Sequence, residues 1–329
     1  MSYTSESVLP RSAKLTQLEE LVALLGYRKS EDGLKIPGRI GSYFWYDQEE
    51  YQSYVGVEID IYRRSRGPIV TTRSRVGRSY WDLTQQNKTL KLIRDFFGGH
   101  FTTDAGRNRY WRPDERPPLP LASGCFVGRW RFHNGLGRAR IYLMNRKFEG
   151  PIAREKSSGL EFMDGLNPRI LSNNFFLPYI VAVWEDYFRS TFAAALKYSK
   201  QRESALKRAR LSHSNLEQVA LGSHSIERAI AVGFSFQRPT SIAENFRLLD
   251  SKLDIGAALR KPYRRRKTSL FDSIQQLVED RHVFVHTGRM NVKFFDPQLQ
   301  TALSDIEVAV NRAYECVAAY YGFVPSHDY

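Results

Sequence analysis

The chain has 329 residues and a formal net charge of +14, with 42% hydrophobic and 13% aromatic residues. That apolar content supports packed cores and excludes a disordered polyelectrolyte, while the length fits about two domains. The charge makes nucleic acid or another polyanion the first partner to consider; the plainer alternative is a basic protein that gains only solubility.

Cys125 and Cys316 lie far apart and form no CxxC, so no structural zinc site is expected, and both read as buried, reduced thiols of a cytosolic protein. The first 12 residues are polar and lack the apolar core of a signal peptide. No apolar run approaches the roughly 18 residues that would cross a bilayer. A cytoplasmic location is therefore expected, with no metal and no cofactor.

Residues 1–150 read as an α+β domain. Leu15, Leu18, Leu21, Val22 and Leu25 recur at helical spacing, and Gly26 is a stop. Residues 54–61 alternate, with Val55, Val57, Ile59 and Ile61 on one face and Glu58 and Asp60 on the other, which predicts a strand. Arg66-Gly67-Pro68 turns the chain, and residues 69–76 are the returning strand. Arg63, Arg64, Arg66, Arg73, Arg75 and Arg78 make this hairpin basic, either as a grip on nucleic acid or as its wet face. A helix follows over 84–97, ended by Gly98-Gly99. The next stretch, GGHFTTDAGRNRY, lacks the spacing of a phosphate loop, so a structural turn outranks recognition of a phosphate or a nucleic-acid end. Residues 111–120 are rich in proline and charge and predict an exposed loop, and residues 126–132 and 138–143 flank Asn134-Gly135 as a second hairpin.

Residues 151–169 read as a connecting segment, and 170–325 as a helical bundle. Ile180, Val183, Trp184, Tyr187, Phe188 and Phe192 trace a long amphipathic helix. Further helices are predicted over 215–231, 242–255, 270–286 and 299–321. The last carries Leu299, Leu303, Ile306, Val310, Ala313, Val317 and Tyr321 as one stripe.

The segment LFDSIQQLVEDRHVFVHTGRMN, residues 270–291, concentrates the chemistry. On a helix, Leu270, Ile274, Leu277, Val278 and Val285 share a face, and Arg281 falls in its middle. An arginine there is costly unless it is paired or lines a site. His282 lies at the edge of the stripe, with His286 one turn on. Arg281 and His286 are five apart, so a regular helix does not aim them together. They converge only on a frayed last turn, or where two copies of the segment meet. RNA carries its own nucleophile, the 2′-hydroxyl. An imidazole can take that proton or protonate the leaving 5′-oxygen, and a guanidinium can hold phosphate oxygens and stabilise charge gathering at phosphorus. On spacing alone the plainer reading stands beside this one: a structural histidine near a helix end, and an inward arginine in a buried ion pair.

RHVFVHTG, from Arg281 to Gly288, resembles the signature of the HEPN superfamily: an arginine, a polar neighbour, a short spacer and a histidine near a helix end. Arg281 matches the arginine, His282 the polar neighbour and His286 the histidine. The likeness also takes in the long opening helix and the closing amphipathic helix, about 175–322, and leaves the N-terminal part outside. It implies an all-α HEPN-like bundle after the α+β domain, and a homodimer through the signature helices that joins two arginine–histidine sets in one composite cleft. Many members cleave single-stranded RNA without metal, as toxins or antiviral-defence effectors, and others only dimerise and bind ligands or nucleic acid. The resemblance therefore implies a metal-independent endoribonuclease, with a non-catalytic binding module as the alternative.

Just before that helix runs RKPYRRRK, in which Arg264, Arg265, Arg266 and Lys267 are candidate RNA-binding residues; the alternative is a solvated loop. Lys200, Arg202, Lys207, Arg208 and Arg210 form a second basic stretch that reads more simply as a wet helix surface. Glu185 and Asp186 are either orienting partners of the site or surface charges.

Overall fold

The computed structural model describes residues 2–30, 36–47, 50–113, 116–199 and 202–327. It divides into two compact units, one ending at Ser123 and the other beginning at Gly124.

The first unit runs β1 (Tyr3–Val8), α1 (Leu15–Leu24), β2 (Arg28–Lys29), β3 (Arg39–Trp45), β4 (Val57–Tyr62), β5 (Ile69–Ser74), α2 (Tyr80–Phe97), β6 (His100–Thr103) and β7 (Gly106–Arg107). Among the described residues these strands form one seven-stranded antiparallel sheet, ordered β2-β3-β4-β5-β1-β6-β7. The predicted alternation in β4 is real. Val57, Ile59 and Ile61 are buried with Val70 of β5 against Leu18 and Val22 of α1 and Ile93 of α2. Glu58 and Asp60 take the other face, where Arg75 and Arg39 pair with them.

β4 starts later than its pattern implies. Tyr54, Val55 and Gly56 turn instead, and their N–H groups donate to the buried Asp82 carboxylate at 3.0, 3.2 and 3.1 Å. Asp82 also accepts from Ser53 Oγ at 2.5 Å and Ser79 N at 2.8 Å. Ser79 Oγ accepts in return from the Asp82 N–H, which closes a capping box and opens α2. The glycine-bounded stretch after α2 is the β6–β7 hairpin. Asn108 Oδ1 accepts from Phe101 N, and the Thr103 hydroxyl bonds the backbone of Ala105 and Arg109, as a structural turn requires.

The second unit is helical: α3 (Pro120–Asn145), whose first residues lie in the first unit, then α4 (Glu161–Gly165), α5 (Pro168–Tyr198), α6 (Glu203–Arg208), α7 (His213–Ala220), α8 (Ile226–Val232), α9 (Pro239–Arg247), α10 (Ile255–Arg260), α11 (Leu270–Thr287) and α12 (Asp296–Tyr321). Trp184, Tyr187, Phe188 and Phe192 of α5 are buried with Phe236 and Phe246, and Leu303, Ile306, Val310 and Val317 of α12 complete the core. The predicted helix over 215–231 is two helices, because Gly222 at φ 67° stops α7 and Ser225 caps a new start for α8. The one over 242–255 ends at Arg247 instead, and Asp254 caps a separate α10. Lys200 of the second basic stretch lies outside the described residues. No helix among the described residues is long and apolar enough to cross a membrane.

Two expectations are corrected here. The hairpin predicted over 126–143 is the body of α3, so the boundary expected after residue 150 falls at Ser123–Gly124. The physical reason is a second periodicity beneath the alternation. Leu121, Cys125, Phe132, Leu136 and Ala139 are buried at helical spacing. Gly135 serves packing rather than turning: a Cβ there would stand 2.9 Å from Val183 Cγ1 on α5, and Tyr179 donates to its carbonyl at 2.9 Å. Nor are residues 151–169 a bare linker. Asp164 accepts from Ser157 and Ser158, and Asn167 donates to Arg154 O while capping α5.

Candidate active site

α11 is a clean helix with a definite end. Ser269 accepts from Asp272 N at its start, and Gly288 at φ 70° closes it through a bond to Phe284 O. Leu270, Phe271, Ile274, Leu277 and Val278 are buried, so the first three turns are anchored. The final turns emerge from the core. Arg281 and Phe284 are half-buried, while His282 and His286 are exposed. Val285, expected on the buried stripe, is 46% exposed, because the core ends before it.

His282 and His286 are four apart and meet, with ring centroids 4.4 Å apart and planes tilted by 54°. Arg281 belongs to the same turn, and its Nε is buried with no hydrogen-bond partner. Five residues at about 100° each carry His286 roughly 140° around the axis from Arg281. No hydrogen bond or ion pair joins Arg281 to His286 among the described residues. A single chain therefore brings the two histidines together and leaves the arginine on another side of the helix.

Two asparagines that sequence reasoning passed over hold the segment after α11. Asn174 of α5 accepts from Asn291 N at 2.8 Å and donates to Asn291 O at 3.1 Å. Asn173 donates to Phe294 O at 2.8 Å. Both side chains are buried. Asn291 in turn donates to Asp280 at 2.8 Å, beside Arg281. The signal was available: two adjacent asparagines precede the apolar run from Phe175 to Trp184 in a long helix, and buried polar side chains persist there only with defined partners.

The basic segment splits by role. Arg264 and Arg265 are exposed and hold positive φ of 50° and 54°. Lys267 is exposed as well. Arg266, grouped with them as RNA-binding, is instead committed to the fold. It makes a bidentate pair with Asp305 of α12 at 2.9 and 2.7 Å, and Asp305 is only 4% exposed. Tyr263 lies beneath the guanidinium groups of Arg264, Arg266 and Arg312 at 4.9, 4.8 and 5.5 Å from its centroid. Arg312 also donates to the carbonyls of Lys261 and Pro262, which ties this loop to α12.

Glu185 accepts from Arg189 one turn along α5 and Asp186 is exposed, and among the described residues no hydrogen bond or ion pair joins either to Arg281 or His286. Burial pushes the Cys125 thiol up to about 12, and Cys316, expected to be buried, is partly exposed. Among the described residues no three His, Cys, Asp or Glu side chains are grouped to hold a metal ion. No protein-family model matches the chain, and neither a curated protein nor a solved structure is found to be similar to it.

Proposed function

We propose that this protein is a metal-independent endoribonuclease of the HEPN type that cleaves single-stranded RNA as a homodimer. The observation that carries the reading is the end of α11, where exposed His282 and His286 share a turn with Arg281, whose buried Nε lacks a partner. In the reaction, an imidazole of His286 takes the proton of a 2′-hydroxyl as its oxygen attacks phosphorus. The bond to the 5′-oxygen breaks, and the imidazolium returns a proton to that leaving oxygen. The products are a 2′,3′-cyclic phosphate and a free 5′-hydroxyl. Arg281 holds the phosphate oxygens and stabilises the charge that gathers on them, and His282 assists by hydrogen bonding.

The divergence of Arg281 and His286 around one helix is the argument for a dimer. A second α11 in antiparallel approach supplies the arginine that one chain cannot aim at its own histidine. Arg264, Arg265 and Lys267 draw the RNA backbone towards that cleft. The sheet unit is assigned to sensing a trigger or binding nucleic acid, and the whole chain to a cytoplasmic toxin or an effector of antiviral defence.

The test is cleavage of total cellular RNA and tRNA in EDTA by wild type, His286→Ala and Arg281→Ala. Cleavage by wild type alone, with cyclic phosphate ends, supports the proposal. Equal cleavage by all three places the activity elsewhere. Nucleic-acid binding without cleavage by any of them favours the rival reading, a non-catalytic dimerising module.

A further inference from the structure

A groove of about 690 Å³ opens between the C-terminal half of α3 and the N-terminal half of α5. This volume lies within the range of small-molecule sites. Tyr142, Phe148, Phe175, Phe176 and Tyr179 line it with five rings, and Arg138 is its charged lining residue. The rings form a continuous surface: Tyr142 and Phe176 lie 4.8 Å apart, and Phe176 and Tyr179 6.3 Å. Phe175 is 62% exposed and Tyr142 46%. Rings of this size in water mark a surface that something covers.

Charge narrows what covers it. Arg138 is exposed at the groove and no acidic side chain lines it among the described residues, whereas Arg129 and Arg140 are engaged with Asn311 and Glu307 of α12 and Arg169 pairs with Asp296. A second copy meeting this face about a two-fold axis would bring Arg138 towards its own equivalent, with no carboxylate in the lining to pair with it. Flat apolar groups bound to a polyanion fit both properties at once, and that is the chemistry of unpaired RNA. The groove is also continuous with the end of α11. Phe175 meets Phe284 edge-on at 5.3 Å, and Phe284, three residues after Arg281, lies about 60° around the helix from it, on the arginine's side of α11 and away from the two histidines.

We propose that this groove is a base-stacking subsite, which takes an unpaired nucleobase of the RNA strand held at α11 and sets a flanking phosphate on Arg138. The proposal rests on the ribonuclease reading of α11. It adds that substrate choice is governed by a base that does not react, and that this base must be free of pairing to enter.

The experiment uses the full chain carrying His286→Ala, to prevent cleavage, and short fluorescent single-stranded RNAs in which each position in turn is made abasic. Binding is read by anisotropy, oligomeric state by sedimentation and folding by thermal melting. On the parent, one abasic position should weaken binding about tenfold. On the same chain with Phe175→Ala added, that position should cost nothing further. Tyr142→Ala, which leaves the Phe175–Phe284 contact in place, should behave alike. Arg138→Ala should lower the salt dependence by about one phosphate contact. If RNA binds but every abasic position costs both proteins the same, the subsite is overturned while the reading of α11 stands. If Tyr142→Ala, which does not touch α11, splits a dimer, a second copy occupies the groove and the proposal fails. If the parent binds no RNA at all, the ribonuclease reading falls and takes the subsite with it.

Discussion

The side chain of Asn174 pairs with both backbone groups of Asn291, as a neighbouring strand would, although the two residues are 117 positions apart. The link pins the exit from α11 to α5. Asn174→Ala leaves an N–H and a carbonyl of Asn291 without partners and should cost about 2 kcal/mol. Asn174→Asp keeps the acceptor but sets a carboxylate oxygen against the carbonyls of Ile170 and Asn291, and should be at least as harmful. Urea titration checks both. If Asn174→Asp is as stable as wild type, the clamp is not what holds this segment.

The four basic residues before α11 should separate cleanly. Arg266→Ala strands the buried Asp305 carboxylate and should destabilise the protein by about 3 kcal/mol. Arg264→Ala, Arg265→Ala and Lys267→Ala remove exposed cations and should shift stability by no more than about 0.5 kcal/mol. Each of the three should instead weaken RNA binding and reduce its dependence on salt. Thermal melting beside filter binding at several salt concentrations distinguishes the groups. A soft Arg266→Ala phenotype would mean that the ion pair does not form in solution.

His286 is exposed, so His286→Ala should melt with wild type while cleavage disappears. A site shared between copies makes a stronger prediction. Inactive Arg281→Ala and inactive His286→Ala chains, mixed and allowed to exchange, should regain about a quarter of wild-type cleavage, because half of the dimers then hold one intact arginine–histidine set. Recovery of nothing would show that each chain works alone or that neither works.

A half-buried charged cluster contributes to the acid response of the helical unit. His133 of α3 contacts Glu307 of α12, with Arg129, Arg140 and Asn311 around them. Burial, with Arg129 nearby, depresses His133 below its ordinary 6.5. The unfolded chain then takes up a proton that the folded chain refuses, so stability is lost as pH falls from 6.5 towards the folded value. The hydrogen bond from Arg140 holds Glu307 below its ordinary 4.5, and its contribution is lost as pH falls below 4.5. Melting temperature should therefore drop in two stages on acidification. His133→Asn should flatten the first stage and Arg140→Ala the second. Unchanged slopes between about pH 7 and pH 5 in His133→Asn would sink the assignment.

What could be read from the sequence depended on whether one periodicity stood alone. Residues 270–286 and 299–321 carry helical stripes with no competing alternation, and α11 and α12 cover the segments those stripes predict. β4 shows the opposite period just as plainly. α3 failed because both periods coexist in it, and Asn134-Gly135 has the composition of a turn. Only the presence of Val183 on a distant helix explains why glycine is needed there. The candidate residues of α11 were visible as residue types, but their arrangement was not. The helical step foretold that Arg281 and His286 would diverge, whereas the end of the core before Val285 depends on where α5 and α12 stop covering α11. Arg266 looked like its three basic neighbours because its partner lies 39 positions away.

Asp82 gathers five donors from two separate stretches of chain onto one buried carboxylate. No other side chain replaces it: Asn would present an amide hydrogen to a ring of hydrogens, and Glu would reach too far for the turn at residues 54–56. In a saturation-mutagenesis screen this position would therefore tolerate almost no substitution, and exposed His286 would look equally intolerant when selection is for activity. The two would part only under selection for abundance, where Asp82 variants vanish and His286 variants persist. A map of intolerance alone would thus nominate an aspartate that touches no substrate, which is why abundance has to be scored beside activity in any such screen of this protein.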